Sequence, residues 1–135
     1  MGATFLQLND GWNAEPNDPG ERVTIAADAV ILSFFLNPLA YEGDEGETAS
    51  LTFSACTKWR LGPTNDDGWY RGQCRYSGIA PRWGEFYEIV GSDDVSDQPT
   101  DWRFVDVEPG GNRHFLFYLR DNTFECFAAD WSLAR

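Results

Sequence analysis

The chain is short of positive charge. Its 135 residues hold 10 Lys and Arg against 22 Asp and Glu, a net charge of −12, with one histidine. A field of that sign opposes docking on nucleic-acid phosphates and on anionic membrane surfaces, so neither is an expected partner. Basic proteins and small molecules remain as candidates.

Long hydrophobic runs are also missing. The longest, Val30 to Leu36, is broken by Ser33 and falls far short of the roughly 20 residues needed to span a bilayer. Met1 to Asp10 has no basic n-region and only a short apolar stretch, which does not read as an export signal. Leu6 stands where a myristoylation motif carries a hydroxyl residue. The expected location is the cytoplasm.

Cysteine is scarce and unpaired in sequence. Cys56, Cys74 and Cys126 form no C-x-x-C, so neither a zinc site nor a redox centre is indicated, and reduced thiols are expected. Cys56 falls on the polar parity of its strand and is the expected exposed thiol, whereas Cys126 falls on an apolar face. The turns Asn9-Asp10-Gly11-Trp12 and Asn65-Asp66-Asp67-Gly68-Trp69 lack the alternating oxygen ligands of a calcium loop. Each reads as a tight turn followed by an anchoring Trp. There is no G-x-S-x-G elbow, Walker loop, H-E-x-x-H or G-x-G-x-x-G. No cofactor, metal or catalytic residue is implied, and the expectation leans away from an enzyme.

What is present is strand chemistry. With 42% apolar and 16% aromatic residues, 1–135 suffices for one well-packed domain. Period-two runs recur between turn-forming stretches, and no helical stripe persists beyond about two turns. This predicts an all-β, single-domain antiparallel sandwich or small barrel of about eight strands. They fall near Thr4–Leu8, Arg22–Ala26, Ala29–Leu36, Ala49–Leu61, Trp69–Tyr76, Glu85–Val90 and Trp102–Val107, followed by a tight C-terminal hairpin. Ala29–Leu36 is apolar on both parities and is expected to be a central strand covered on both sides.

In that hairpin, His114–Arg120 and Thr123–Trp131 flank Asp121-Asn122, two residues that tolerate the positive φ of a tight turn. A two-residue loop there sets Leu119 opposite Phe124, Tyr118 opposite Glu125, Phe117 opposite Cys126 and His114 opposite Ala129. Phe115, Phe117, Leu119, Phe124, Cys126 and Ala128 then share one apolar face. On this register Glu125 lies about 13 Å from His114 along the strand and Cys126 points the other way, which leaves the histidine without a dyad partner. Tyr118 and Glu125 become a directly opposed, solvent-facing pair. Arg113 pairs with Asp130 at the open end.

Charge is unevenly spread. Residues 1–50 carry −8 and 85–135 carry −7, whereas 51–84 carry +3. Within that basic quarter Lys58, Arg60, Arg71, Arg75 and Arg82 interleave with Trp59, Trp69, Tyr70, Tyr76 and Trp83, the mixture of cations and flat rings that suits a planar or anionic ligand. Asn65, Trp69 and Tyr70 would contact it from a flap at Pro63–Gly68, and Tyr118 with Glu125 would add a polar cluster. The expected function is therefore a non-enzymatic intracellular binding module for a small anionic or planar molecule. The alternative is an acidic, antitoxin-like or inhibitor-like protein that docks a basic protein partner.

Overall fold

The computed structural model describes residues 4–38, 46–63, 71, 82, 84–91, 102–105 and 110–135. Ten strands are present and no helix among the described residues. They are β1 (Thr4–Gln7), β2 (Arg22–Ala26), β3 (Ala29–Phe35), β4 (Thr48–Ser54), β5 (Lys58–Pro63), β6 (Phe86–Val90), β7 (Arg103–Phe104), β8 (Arg113–Tyr118), β9 (Asn122–Ala128) and β10 (Asp130–Ala134). Every pairing is antiparallel, in a six-stranded sheet ordered β1-β6-β8-β9-β5-β7 and a four-stranded sheet ordered β10-β4-β3-β2. The sheets are not closed into a barrel, which removes that alternative, and the strand count exceeds the expected eight.

The difference in count arises at one corner. Ala49–Leu61 reads as a single alternating run, and so does Thr123–Trp131, but each bends and passes from one sheet to the other. The bends lie side by side: Ala129 N donates to Ser54 O (2.9 Å) and Thr57 N donates to Phe127 O (2.8 Å). Ala55 takes a left-handed conformation at the bend, with φ 49°. Gly111 packs against the Ala128–Ala129 backbone so closely that a Cβ there would overlap it, and its amide donates to Ala55 O (2.8 Å). Along β4–β5 odd positions face the core on both sides of the bend, from Leu51 and Phe53 to Trp59 and Leu61, whereas along β9–β10 the core-facing parity shifts at Ala129, from Phe124, Cys126 and Ala128 to Trp131 and Leu133.

That core joins the inner faces of both sheets. Phe53 of β4 meets Phe86, Phe115 and Phe124 of the large sheet at centroid distances of 6.0, 5.4 and 5.3 Å, and Phe34 of β3 meets Phe117 at 5.3 Å. The predicted apolar hairpin face is buried throughout, from Phe115 to Ala128, and β8 and β9 are the two central strands of the large sheet. Trp12 anchors the first turn as expected: it is buried, and Asn9 beneath it bonds Trp12 O (2.8 Å) and the Phe86 amide (3.1 Å).

Three expectations are corrected. Ala29–Phe35 is internal to the small sheet but covered on one side only: Val30, Leu32 and Phe34 are buried, whereas Phe35 is 37% exposed. Cys56 is fully buried, not exposed, because the corner turns it into the core. The hairpin turns over Arg120-Asp121, with Leu119 N donating to Asn122 O (2.9 Å), so Phe117 faces Phe124 and Tyr118 faces Thr123. Asn122 is drawn into the sheet opposite Pro63 and held by Glu21 Oε1 (2.8 Å), and neither Asp121 nor Asn122 has positive φ. Moving the turn by one residue moves every cross-strand partner by two, which preserves the faces and changes the neighbours. Of the expected strand Trp69–Tyr76 only Arg71 is described, in a turn; the rest lies outside the described residues.

At the rim, Arg113 pairs with Glu88 (2.8 Å) and, as expected, with Asp130 (3.1 Å). Its hydrogen bond holds the Glu88 carboxyl below its ordinary value of 4.5, against the opposing effect of burial. A depressed folded value means that the pair stabilises fully above pH 4.5 and is lost as pH falls through the lower, folded value. Because the Arg113 side chain is 39% exposed, the contribution is at most about 1 kcal/mol. Urea unfolding as a function of pH should show an acid limb that is shallower in Arg113→Met. Phe53→Ala, which removes the ring joining the two sheets, should cost about 3–5 kcal/mol in the same measurement.

Candidate functional site

The face of the large sheet turned away from the core gathers chemistry-bearing side chains that alternate with the core residues. Its register sets Tyr87, Leu116, Glu125 and Arg60 in one row across β6, β8, β9 and β5. The next row is Ile89, His114, Phe127, Lys58 and Phe104, ending on β7. Tyr118 lies opposite Thr123, which lies opposite Gly62.

Glu125 is the centre of the first group. Its carboxylate is fully buried and lies 2.7 Å from His114 Nε2 through Oε2 and 3.2 Å from Arg60 Nη1 through Oε1. The Arg60 side chain is only 11% exposed. A buried carboxylate requires such partners, since burying an uncompensated charge costs several kcal/mol. With the imidazole proton on Nε2, both neighbours donate to Glu125. Gly62 leaves the space that the Arg60 guanidinium occupies; a Cβ there would overlap it. The His114 ring is 4% exposed and stacks on Phe127 at 4.4 Å and 17°.

This overturns the expected separation of His114 from Glu125. With Glu125 facing Leu116 in place of Tyr118, it is a diagonal neighbour of His114, within hydrogen-bond reach. The expected solvent-facing Tyr118–Glu125 pair is likewise replaced: both are buried, and they are diagonal. The imidazole, closed in by Phe127 and Glu125, offers a substrate almost no surface.

Lys58 forms the second group. Its Nζ lies 4.6 Å from the Trp102 ring centroid, 4.9 Å from Phe127 and 6.0 Å from Phe104. No carboxylate lies within ion-pair distance of Lys58 among the described residues. Phe104 is 74% exposed, and Trp102 Nε1 is shielded from solvent without an acceptor among the described residues. On the other side of the same edge, the Arg103 guanidinium sits 5.7 Å from the Trp59 ring. Cations thus alternate with rings along the β5–β7 edge, where Trp102, Phe104 and Phe127 come from outside the basic quarter and Trp59 from within it.

Of the residues expected at a site, Lys58, Arg60, Tyr118 and Glu125 share this one face. Arg60 is committed to Glu125, whereas Lys58 meets rings. Arg71 and Arg82 are exposed, and the Arg82 carbonyl accepts from the Tyr87 hydroxyl (3.3 Å). Asn65, Trp69, Tyr70 and Arg75 lie outside the described residues. Trp102, Phe104, Phe127 and His114 were not anticipated as site residues; the alternation of Trp102-Arg103-Phe104 with a cation between rings was the available signal. A separate cleft of about 180 Å³ at the hairpin turn is lined by Asn13, Glu15, Tyr118 and Arg120 among others. Its charged groups are already engaged, Arg120 with Asn17 O (2.6 Å) and Glu15 Oε1 with Asn17 N (2.9 Å). Among the described residues no group of three or more His, Cys, Asp or Glu is placed to hold a metal, and no helix is long and apolar enough to cross a membrane.

Glu125→Ala should cost about 3–5 kcal/mol in chemical denaturation, because it leaves Arg60 buried without its carboxylate. Glu125→Gln, which keeps a hydrogen-bonding side chain of the same shape, should cost less. Equal losses in the two variants would show that the charge is immaterial. Comparison of the chain with protein-family models, with curated proteins and with solved structures finds no match to any of them.

Proposed function

We propose that this protein is a non-enzymatic, cytoplasmic binding module, a single sandwich-like β domain that takes a small planar anion at the β5–β7 edge of its large sheet. The observation that carries this reading is Lys58: a half-buried ammonium among three rings and without a carboxylate partner among the described residues. An incoming carboxylate or phosphate would accept from Nζ, while its planar part stacks against the exposed Phe104 ring and Trp102.

The net charge of −12 opposes an anion at long range. Physiological salt screens exposed charges beyond about 8 Å, so contact with a local cation outweighs the distant acids. A charge-assisted hydrogen bond contributes about 1.5–3 kcal/mol, equivalent to roughly tenfold or more in affinity. Burial of Cys56 and Cys126 as free thiols suits a reducing compartment.

Titration with benzoate, adenosine monophosphate and inorganic phosphate, read by Trp fluorescence, tests the reading. Benzoate and the nucleotide should give saturable responses, stronger than phosphate alone, and Lys58→Gln should weaken them roughly tenfold. No response to any of the three, or the same affinity in Lys58→Gln, would overturn it.

A further inference from the structure

The cleft of about 180 Å³ at the turn of the C-terminal hairpin is lined by side chains of both charges. We propose that it holds a free α-amino acid with an apolar side chain, whose ammonium meets Glu15 and whose carboxylate meets Arg120. The inference does not depend on ligand binding at Lys58.

Backbone hydrogen bonds fix both walls of the cleft. On one side Ala14 bridges to Leu36, with Glu15 N donating to Phe35 O (2.8 Å) and Asn37 N to Asn13 O (2.9 Å). On the other, Leu119 N donates to Asn122 O (2.9 Å) and closes the turn, while Tyr118 N donates to Glu85 O (3.4 Å). Gly84 takes a φ of 87°, and the position that a Cβ would occupy there has no atom within 4 Å. Ala14 and Leu119, both buried, contribute apolar lining. An apolar cavity of about 150 Å³ takes benzene, so the space suits the side chain of leucine or phenylalanine.

The charges are arranged for a zwitterion. Asn17 N donates to Glu15 Oε1 (2.9 Å), and Arg120 Nη1 donates to Asn17 O (2.6 Å). The N–H and C=O of one residue thus span the two side chains, and the ammonium and carboxylate of a free amino acid present a donor and an acceptor in the same order. Each side chain gives one atom to Asn17, which leaves Glu15 Oε2 and Arg120 Nη2, and the two form no ion pair with one another. Asn13 lines the same cleft, and its Oδ1 accepts no hydrogen bond among the described residues. Rotation about its soft last torsion turns that acceptor toward an ammonium. A simple anion would meet Glu15 beside Arg120, and a simple amine would meet the reverse, whereas a zwitterion satisfies both. Being neutral overall, it is also not repelled by the net charge of −12.

The test is a titration of the ¹⁵N-labelled full chain with L-leucine and L-phenylalanine, followed by amide NMR. Saturable shifts should centre on Glu15, Asn17, Gly84 and Arg120. On the unaltered protein 4-methylpentanoate, which lacks the ammonium, and 3-methylbutylamine, which lacks the carboxylate, should each bind about tenfold or more weakly than leucine, the loss of one charge-assisted contact. Glu15→Gln and Arg120→Gln should each weaken leucine to a similar degree, with the rest of the amide spectrum unchanged. No saturable shift with either amino acid, shifts confined to Lys58 and Phe104, or a one-ended analogue that binds as tightly as leucine would each overturn the proposal.

Discussion

The corner at which two neighbouring segments leave one sheet for the other is the constraint on which the rest of the structure depends. Because β4–β5 and β9–β10 bend side by side, their pairing is handed from the small sheet to the large one through the Ala129–Ser54 and Thr57–Phe127 hydrogen bonds. A left-handed non-glycine residue costs of order 1–3 kcal/mol, and Ala55 is held there by Gly111. The offsetting gain is a shared core: Phe53, two residues before the bend, packs on Phe124 of the opposite sheet. Each large side chain buried in this way contributes about 1.5–3 kcal/mol.

In β4–β5, parity carried through the bend also builds the candidate face. With Leu61 and Trp59 turned toward the core, Lys58 and Arg60 must face outward, and with Phe124 and Cys126 inward, Glu125 and Phe127 must join them. The outer face is thus neither wet nor apolar. Glu125 is kept inside it by Arg60 and His114, and Lys58 is kept at its margin by rings. These are different solutions to the same problem: a cation deep in the face requires a carboxylate, while one at the edge is stabilised by aromatic quadrupoles and retains solvent contact. Of the two, Lys58 alone has no carboxylate partner among the described residues.

Much of the fold was legible in the residues. The apolar face of the hairpin, the turn with its anchoring Trp12, and the strands at Arg22–Ala26 and Ala29–Phe35 follow from period-two patterning and turn chemistry. The bend was not legible, because an alternating run such as Leu51, Phe53, Ala55, Thr57, Trp59, Leu61 reads the same whether it is straight or folded around its own core. At the site, the basic and aromatic quarter identified Lys58 and Arg60, but residue types alone did not distinguish the arginine bound to a carboxylate from the lysine set among rings. His114 was discounted on a register that lay one turn residue from the observed one.

The amino-acid sequence by itself determined which side of each strand is apolar, since that depends only on the alternation of side chains along an extended backbone. Only the tertiary structure decided who stands next to whom. Asn122 is held by Glu21 and Pro63, and Arg120 by Asn17, residues remote in the chain. Those contacts place the turn, and the turn brings Glu125 to His114. Cross-strand neighbours are set by register, and register here is set by long-range contacts that no local pattern encodes.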